Sequence, residues 1–168
     1  MITIEHPEYI EQVQAMERGA LLVTAHFGNW ELGAAALAAM GYKMNGVVLP
    51  HRDQRTERLF QSRRESRGIH LIPLGRAAIE TVRALHRKEF VGVVADRDYS
   101  DRNDTVNFFG APARLPKGPA TLSAKTGAPI LAGFMLRQPD DTFLLRLHPP
   151  IVPENRQAID GVQDQLTR

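Results

Sequence analysis

His26 and Glu31 are the two residues of this sequence whose types and spacing best fit acid–base chemistry. A carboxylate that binds one ring nitrogen of a histidine fixes its tautomer and stabilises the imidazolium. The other ring nitrogen is then available to accept a proton. The spacing therefore predicts that His26 is a general base for a hydroxyl group and that Glu31 orients it.

The residues around this pair predict a strand that leads into a helix. The apolar run 21–25 is typical of a buried strand, and residues 32–40 are rich in alanine and leucine and end at a glycine, as helices often do. Between them, Gly28 permits a tight turn and Asn29 is a suitable N-cap. Glu31 then falls in the first helical turn, and we expect its side chain to reach back toward the imidazole.

The sequence contains neither a G-x-S-x-G segment nor a cysteine, so the nucleophile is predicted to be the substrate's own hydroxyl. A structural alternative stays open at this point. A histidine at a strand end that binds a glutamate at a helix start also serves simply to cap the helix, and the spacing alone does not separate the two roles.

Short motifs follow one another along residues 19–151: His26-Phe27-Gly28-Asn29-Trp30-Glu31, Ala95-Asp96-Arg97-Asp98, Val106-Asn107-Phe108-Phe109-Gly110-Ala111-Pro112-Ala113, Lys117-Gly118-Pro119-Ala120 and Thr126-Gly127-Ala128-Pro129-Ile130. The first resembles the H-x-x-x-x-[DE] motif of the glycerolipid acyltransferase superfamily. Its HFGNWE form is similar to the lipid A biosynthesis branch, which includes lauroyl/myristoyl acyltransferases and relatives that acylate mannosylated phosphatidylinositol. The later motifs resemble that branch's D-R/Q, FFG-x-PA, GPA and TGAP-[IV] signatures.

The resemblance implies an O-acyltransferase that moves a fatty acyl group from a thioester to a hydroxyl of a glycolipid or phospholipid. The donor would be acyl carrier protein or acyl-coenzyme A, which is a co-substrate, and no cofactor or metal would be needed. The resemblance also implies peripheral association with the cytoplasmic face of the bacterial inner membrane and no nucleic-acid partner. Two other functions stay open: a non-catalytic membrane-surface lipid-binding module, and a thioester or ester hydrolase that uses His26 and Glu31 on water.

Seven residues are expected to bind substrate: Gly28, Asn29, Arg52, Asp96, Arg97, Phe109 and Gly110. Arg97 follows a buried strand, and ligands of open α/β sheets bind at the carboxyl ends of strands. It is expected to hold the acceptor's phosphate or to orient the thioester, although a salt bridge with Asp96 or Asp98 is an equal alternative. Phe109 is expected to form an apolar wall beside the acyl chain. The alternative is that its side chain packs into the hydrophobic core.

The segment 52–67 is rich in arginine: Arg52, Arg55, Arg58, Arg63, Arg64 and Arg67. These side chains could bind a phosphate of coenzyme A, a phosphopantetheine arm or anionic lipid headgroups. An ordinary solvated helix face explains the same residues equally well. The resembled family often has a basic residue followed by proline where this chain has Leu49 and Pro50. Arg52 is the candidate to replace that basic residue.

Composition limits the remaining possibilities. The 168 residues are 43% hydrophobic with a formal charge of +2, which predicts a single domain, 1–168, and no electrostatic requirement for nucleic acid. The absence of cysteine excludes disulfides, thiolate catalysis and cysteine-built zinc sites. Residues 1–17 are polar and predict no signal peptide, and no run approaches the roughly 20 apolar residues of a membrane span. Because family members usually carry an N-terminal hydrophobic anchor and a further C-terminal helix, the chain is expected to be a catalytic-core fragment or a shortened member.

Strand and helix patterns alternate along the chain, which predicts an α/β fold with a mainly parallel central sheet flanked by helices. A closing hairpin is expected near the C-terminus, as in glycerolipid acyltransferase-like folds. Further strands are predicted at 44–49, 69–74, 90–95, 129–136 and 142–147, and helices at 55–67, 77–87, 119–125 and 159–166. The segment 96–117 is predicted to be a long irregular loop.

Overall fold

A computed structural model describes residues 1–97 and 103–167 of the chain, with the side chains of 103 and 104 left out. The strands are β1 (Ile2–Glu5), β2 (Ala20–Thr24), β3 (Met44–Val48), β4 (Ile69–Pro73), β5 (Phe90–Val94), β6 (Asn103–Phe108), β7 (Ala111–Pro116), β8 (Ile130–Arg137) and β9 (Phe143–Leu147). The helices are α1 (Glu8–Ala15), α2 (Trp30–Ala39), α3 (Gln54–Glu65), α4 (Ala77–His86), α5 (Gly118–Thr126) and α6 (Ile159–Leu166).

The central sheet has seven strands in the order β1-β9-β8-β2-β5-β3-β4. The five strands from β8 to β4 run parallel, β9 is antiparallel to β8, and β1 pairs with β9 in parallel. The predicted α/β fold with a mainly parallel sheet and a closing C-terminal hairpin is therefore confirmed. The apolar runs predicted as strands form the middle of this sheet because a strand covered on both faces needs apolar side chains throughout.

Two apolar clusters fill the space on the two faces of the sheet. One joins α1 and α2 to the sheet through residues such as Ile10, Leu37 and Met135. The other includes buried residues of α4, α5 and α6, among them Leu85 and Val162. The helix α3 has no buried residue, and it lies over β4 at the periphery of the molecule.

The segment 96–117 differs from the predicted irregular loop. Its described part contains β6 and β7, which form a separate two-stranded antiparallel sheet. Phe109 and Gly110 make the turn between them, with positive φ angles of 53° and 79°. The strand β7 contains Pro112 and Pro116, which is possible because both strands of a two-stranded sheet are edges, where proline is tolerated.

The polar N-terminal residues also form structure that the sequence pattern did not predict. The strand β1 extends the sheet beside β9, and α1 buries Ile10 and Val13 against it. The first helix after the predicted site begins at Trp30, two residues before the predicted Leu32. The predicted helix at 159–166 is confirmed as α6.

Candidate active site

The strands β2 and β5 lie side by side in parallel, so their carboxyl ends meet at one edge of the sheet. The chain leaves β2 toward α2 on one face, and it leaves β5 toward α5 on the opposite face. Ligands of open α/β sheets bind in the crevice that this divergence creates. His26 follows β2 and Asp96 follows β5, so the topology brings both residues to that crevice.

His26 and Asp96 are joined by two hydrogen bonds. The imidazole Nδ1 lies 2.7 Å from Oδ1 of Asp96, and the backbone N–H of His26 donates to Oδ2 at 3.0 Å. Both side chains are partly exposed. The paired contact fixes the ring and leaves Nε2 on its other side, directed away from the carboxylate.

The charge of Asp96 determines which tautomer of His26 this contact favours. Partial burial raises the pKa of Asp96, but the side-chain and backbone hydrogen bonds from His26 outweigh it and lower the pKa below the usual 3.8. Asp96 is therefore ionised at neutral pH and accepts a hydrogen bond from the N–H at Nδ1. The lone pair then resides on Nε2, the arrangement that a general base requires.

Glu31 has a different partner from the one that the sequence pattern suggested. The guanidinium Nε of Arg64 donates to the two carboxylate oxygens of Glu31 at 3.0 and 3.1 Å, and its Nη2 makes a further close contact. Arg64 is well covered, with 11% of its side chain exposed. Glu31 thus ties the start of α2 to α3, while Asp96 occupies the position on the imidazole that we had expected Glu31 to take.

A row of ring and guanidinium contacts extends from His26 across the start of α2. Trp30 presents its ring edge-on to His26, at 5.8 Å between centroids. The guanidinium of Arg64 lies over Trp30 at 5.9 Å and over Phe60 at 5.6 Å. Phe60 in turn stacks on His51 at 4.9 Å. The sequence pattern did not predict this row, because its members come from three separate segments.

The turn between His26 and α2 depends on Gly28 and Asn29. Gly28 has a φ of 67°, and a β-carbon there would collide with the carbonyl oxygen of Met135. Asn29 donates its backbone N–H to the same oxygen at 2.8 Å and accepts from Leu32 through its side chain at 3.1 Å. The predicted tight turn and N-cap are therefore confirmed, and the positive end of the α2 dipole lies beside His26.

An apolar cavity of about 70 Å³ lies between α2 and the sheet. Thr24 and Trp30 line it near His26, and its other walls are Leu22, Val23, Gly33, Ala34, Leu37, Met44, Gly92, Leu131, Gly133, Met135, Leu145 and Leu147. The Oγ1 atom of Thr24 is buried without a hydrogen-bond partner in the described part of the chain. The cavity is thus lined almost wholly by hydrocarbon, and Trp30, which contacts the His26 imidazole, forms part of its wall.

The remaining predicted substrate residues are dispersed. Arg52 and Arg97 are exposed, while Asp98, the alternative partner of Arg97, lies outside the described residues. Phe109 is 94% exposed at the tip of the β6–β7 hairpin, so its side chain does not pack into the hydrophobic core. Neither Phe109 nor Gly110 lines the cavity beneath α2, so the structure does not bring them together with it.

Across residues 1–97 and 103–167, no three histidine, aspartate or glutamate side chains are grouped closely enough to bind a metal ion. The expectation of metal-free chemistry stays a prediction. Over the same residues, no helix is long and apolar enough to span a bilayer.

The chain matches the family model of bacterial lipid A biosynthesis acyltransferases over residues 1–167. It belongs to this family. It is similar to phosphatidylinositol mannoside acyltransferases from two strains of Mycobacterium tuberculosis, at 30% identity over 128 residues, which are 74% of this chain and 40% of the relative. The corresponding enzyme of Mycolicibacterium smegmatis is 32% identical over 115 residues, which are 66% of this chain and 38% of the relative. The chain therefore spans about 40% of the length of the curated relatives that it matches.

Proposed function

We propose that this chain transfers a fatty acyl group from a thioester to a hydroxyl of a glycolipid or phospholipid. The observation that carries the proposal is the His26–Asp96 pair, which stands beside an apolar cavity at the divergence of β2 and β5. An oriented histidine supplies the base, and a hydrocarbon-lined space beside it suits the acyl chain. Membership of an acyltransferase family supports the same reaction.

In the proposed reaction, Nε2 of His26 accepts the proton of the acceptor hydroxyl while that oxygen attacks the thioester carbonyl. The C–O bond forms as the carbonyl π electrons move to its oxygen. When the tetrahedral intermediate collapses, the C–S bond breaks and the departing thiolate takes the proton from the imidazolium. Asp96 stabilises the imidazolium between these two proton transfers, so its negative charge acts where positive charge develops.

The developing oxyanion requires hydrogen-bond donors, and the turn after β2 is their proposed source. The backbone N–H of Asn29 is already bound to the carbonyl oxygen of Met135. The proposed oxyanion donors are therefore the backbone N–H groups of Phe27 and Gly28. The α2 dipole adds positive potential at the same point. Arg97, at the end of β5, is the side-chain candidate for the thioester or for the acceptor's phosphate.

Glu31 and Arg64 act indirectly in this proposal, as positioning residues. Their ion pair holds the first turn of α2 against α3, and Arg64 also covers the ring of Trp30. Trp30 both contacts His26 and lines the cavity. Loss of the ion pair would therefore shift the wall that the imidazole and the acyl chain share.

The cavity accommodates only the first part of a fatty acyl chain. Its volume of about 70 Å³ is about half that of an apolar cavity of roughly 150 Å³ that binds one benzene molecule. We therefore propose that α2 moves outward from the sheet when a long chain binds. An α2 rich in alanine and devoid of buried bulky residues other than Leu37 suits such a displacement.

The proposed acceptor class follows the relatives, which are named phosphatidylinositol mannoside acyltransferases. The proposed donor is acyl carrier protein or acyl-coenzyme A, and the exposed arginines 52 and 97 are proposed to contact phosphate. Because a lipid acceptor resides in a bilayer, we propose peripheral attachment at the cytoplasmic face of the inner membrane, with exposed arginines of α3 facing anionic headgroups.

The decisive experiment incubates the chain with an isotope-labelled acyl thioester, with and without phosphatidylinositol mannoside, and identifies products by mass spectrometry. Label in the lipid supports transfer, whereas free labelled fatty acid in both samples identifies a hydrolase. No turnover alongside vesicle binding identifies a non-catalytic lipid-binding module. His26→Ala must abolish the lipid product, and circular dichroism confirms that the variant is folded.

Removal of divalent metals is the accompanying control. Because the proposed proton transfers use only side chains, acyl transfer should persist after chelation and dialysis. Activity that disappears on chelation and returns with added zinc or magnesium would contradict the proposed chemistry.

A further inference from the structure

The tip of the β6–β7 hairpin displays two aromatic side chains to solvent. Phe109 is 94% exposed and Phe108 is 40% exposed, and their rings contact each other edge-on at 4.6 Å. Phe109 has a φ of 53°, a left-handed conformation that is an outlier for a bulky residue in the first position of a two-residue turn. The turn thus maintains a strained backbone while its aromatic side chain makes no contact that buries it.

The hairpin is attached at the edge of the sheet that carries His26. Its first strand follows the carboxyl end of β5, and its second leads through Lys117 into α5, which returns the chain to the amino end of β8. Both ends of the hairpin are therefore attached at the carboxyl edge. Phe109, at the tip of the hairpin, is almost fully exposed.

Two other loops at the same edge also expose large apolar side chains. Phe27, immediately after His26, is 62% exposed, and Leu49, immediately after β3, is 52% exposed. We name Phe27, Leu49, Phe108 and Phe109 together the apolar rim. The exposed Arg52 belongs to the same loop as Leu49, and the exposed Arg97 follows β5 at the same edge. The edge therefore combines apolar and cationic groups as membrane-interface surfaces do.

The dispersal of the apolar rim favours a bilayer over a protein partner. A large aromatic side chain buries about 150–250 Å² at most, and a stable protein interface buries about 800 Å² on each partner. The rim's members stand on three separate loops and form no continuous face of that size. A fluid apolar phase accommodates separate projecting side chains without needing a complementary shape.

We propose that the carboxyl edge docks on an anionic lipid bilayer and that Phe109 is its deepest inserted residue. This inference deepens the proposed function and rests on its lipid acceptor. Phe27 places the bilayer surface directly beside the His26 imidazole. The acceptor hydroxyl then reaches Nε2 from the membrane side, and the acceptor's lipid tails remain in the bilayer throughout the reaction.

The absence of cysteine from the chain permits a direct test by single-site labelling. Phe109→Cys is labelled with an environment-sensitive fluorophore and mixed with vesicles of phosphatidylglycerol and phosphatidylcholine. Met40→Cys is the matched control, because Met40 is 54% exposed and ends α2 at the opposite edge of the sheet. For the fluorophore at residue 109, we expect a blue-shifted emission and quenching by lipids that carry spin labels on their acyl chains. For the fluorophore at residue 40, we expect neither change.

Unlabelled variants measure the energetic contribution of the tip. Phe109→Ser should weaken vesicle binding by about ten- to a hundredfold, the loss expected when one buried phenylalanine is removed. The same fold-change is expected at low and high salt, because the contact is apolar. Met40→Ser should bind as the unmodified chain does. Arg52→Glu with Arg55→Glu, two exposed arginines between the carboxyl end of β3 and the start of α3, should weaken binding only at low salt.

Acyl transfer separates this inference from the proposed function. Phe109→Ser should lose most transfer to a vesicle-bound acceptor. If the chain inserts Phe109 into vesicles but transfers no acyl group, the docking inference stands and the proposed function is wrong. The inference is overturned if the unmodified chain does not bind the vesicles, if it binds with the label at 109 still in water, or if the label is buried only by a protein partner.

Discussion

Within the described residues, two histidines, His26 and His51, are each held by a carboxylate through two contacts, and only one of the two pairs has the surroundings of a catalytic site. In each pair, the histidine directs Nδ1 and its own backbone N–H at a single carboxylate group. The Nδ1 distances are 2.7 Å for His26 and Asp96 and 2.9 Å for His51 and Glu57. The local hydrogen-bond geometry therefore does not distinguish the two pairs.

Their places in the fold do distinguish them. The His26 pair joins residues 70 apart at the ends of two central strands, beside an apolar cavity and the start of α2. The His51 pair joins residues six apart at the start of α3, and its imidazole stacks on Phe60. The divergence of the strands, rather than the histidine–carboxylate bond itself, therefore creates the candidate site.

Removal of each imidazole should give the largest contrast between the pairs. His26→Ala should lower acyl transfer by at least the 10²–10⁴-fold that is typical of general-base loss, because no other base is positioned by Asp96. His51→Ala should change transfer by about twofold or less, since the proposed proton transfers do not involve it. Steady-state rates with a labelled thioester measure both. Comparable losses in the two variants would mean that the row of ring contacts connects one functional unit.

Neutralising each carboxylate is expected to give the next largest contrast. Asp96→Asn removes the charge that stabilises the imidazolium, so transfer should fall on the order of 10- to 10³-fold. Glu57→Gln is the matched control and should have little effect on the rate. A folded Asp96→Asn protein with nearly full activity would remove Asp96 from the mechanism.

The pH dependence of stability provides a further readout of the same carboxylate. The folded-state pKa of Asp96 is depressed, because the hydrogen bonds from His26 outweigh the opposing effect of burial. Its stabilising contribution is therefore complete above the unfolded pKa of about 3.8 and is lost as pH falls through the lower folded value. Thermal unfolding between about pH 2 and 6 should show a smaller loss on acidification for Asp96→Asn than for the unmodified chain.

Local patterns in the sequence were sufficient to predict most elements and to place His26 at the end of a central strand. Gly28 and Asn29 predicted the turn and the helix cap because both effects act within a few residues. The neighbour of β2 in the sheet is not a local property, so the sequence placed Asp96 among the substrate-binding residues and not on His26. Arg64 is likewise 33 residues from Glu31, and only the packing of α3 beside α2 brings them together.

The β6–β7 hairpin was missed for a different reason. A strand that carries two prolines and a turn that begins with phenylalanine both depart from the usual sequence signals of hairpins. Propensity alone therefore predicts a loop at 103–116. Phenylalanine is unusual at a turn position with positive φ, which is why the sequence did not predict the hairpin. The same feature identifies the tip of the hairpin as a candidate docking element.

The ion pair between Glu31 and Arg64 should show an intermediate effect. Glu31→Ala leaves the covered guanidinium without its carboxylate, which costs about 3–5 kcal/mol for a fully buried pair and less for this partly exposed one. We expect a lower melting temperature and a decrease in transfer of about 10- to 100-fold, with similar values for Arg64→Ala, because both changes release the start of α2.

A double-mutant cycle distinguishes positioning from direct action. If the two residues act only through each other, the double variant should lose little more activity than either single variant. Arg83→Ala, which breaks the exposed pair with Glu80, is the control and should change neither property appreciably. Near-normal transfer by Arg64→Ala with severe loss in Glu31→Ala would restore Glu31 as a direct partner of the imidazole.

The smallest predicted effect concerns Gly33, which faces the cavity from the middle of α2. A β-carbon there would lie 3.6 Å from Cβ of Met135, an ordinary contact that fills part of the apolar space. Gly33→Ala should therefore raise stability by about 0.5–1 kcal/mol through helix propensity while lowering transfer of long acyl chains relative to short ones. Gly161→Ala in α6 is the matched control, because a β-carbon there meets nothing within 4 Å. It should give a similar stabilisation with an unchanged chain-length preference, as measured by thermal unfolding and by competition between thioesters of different length. Equal preferences in the two variants would mean that acyl chains bind outside the cavity beneath α2.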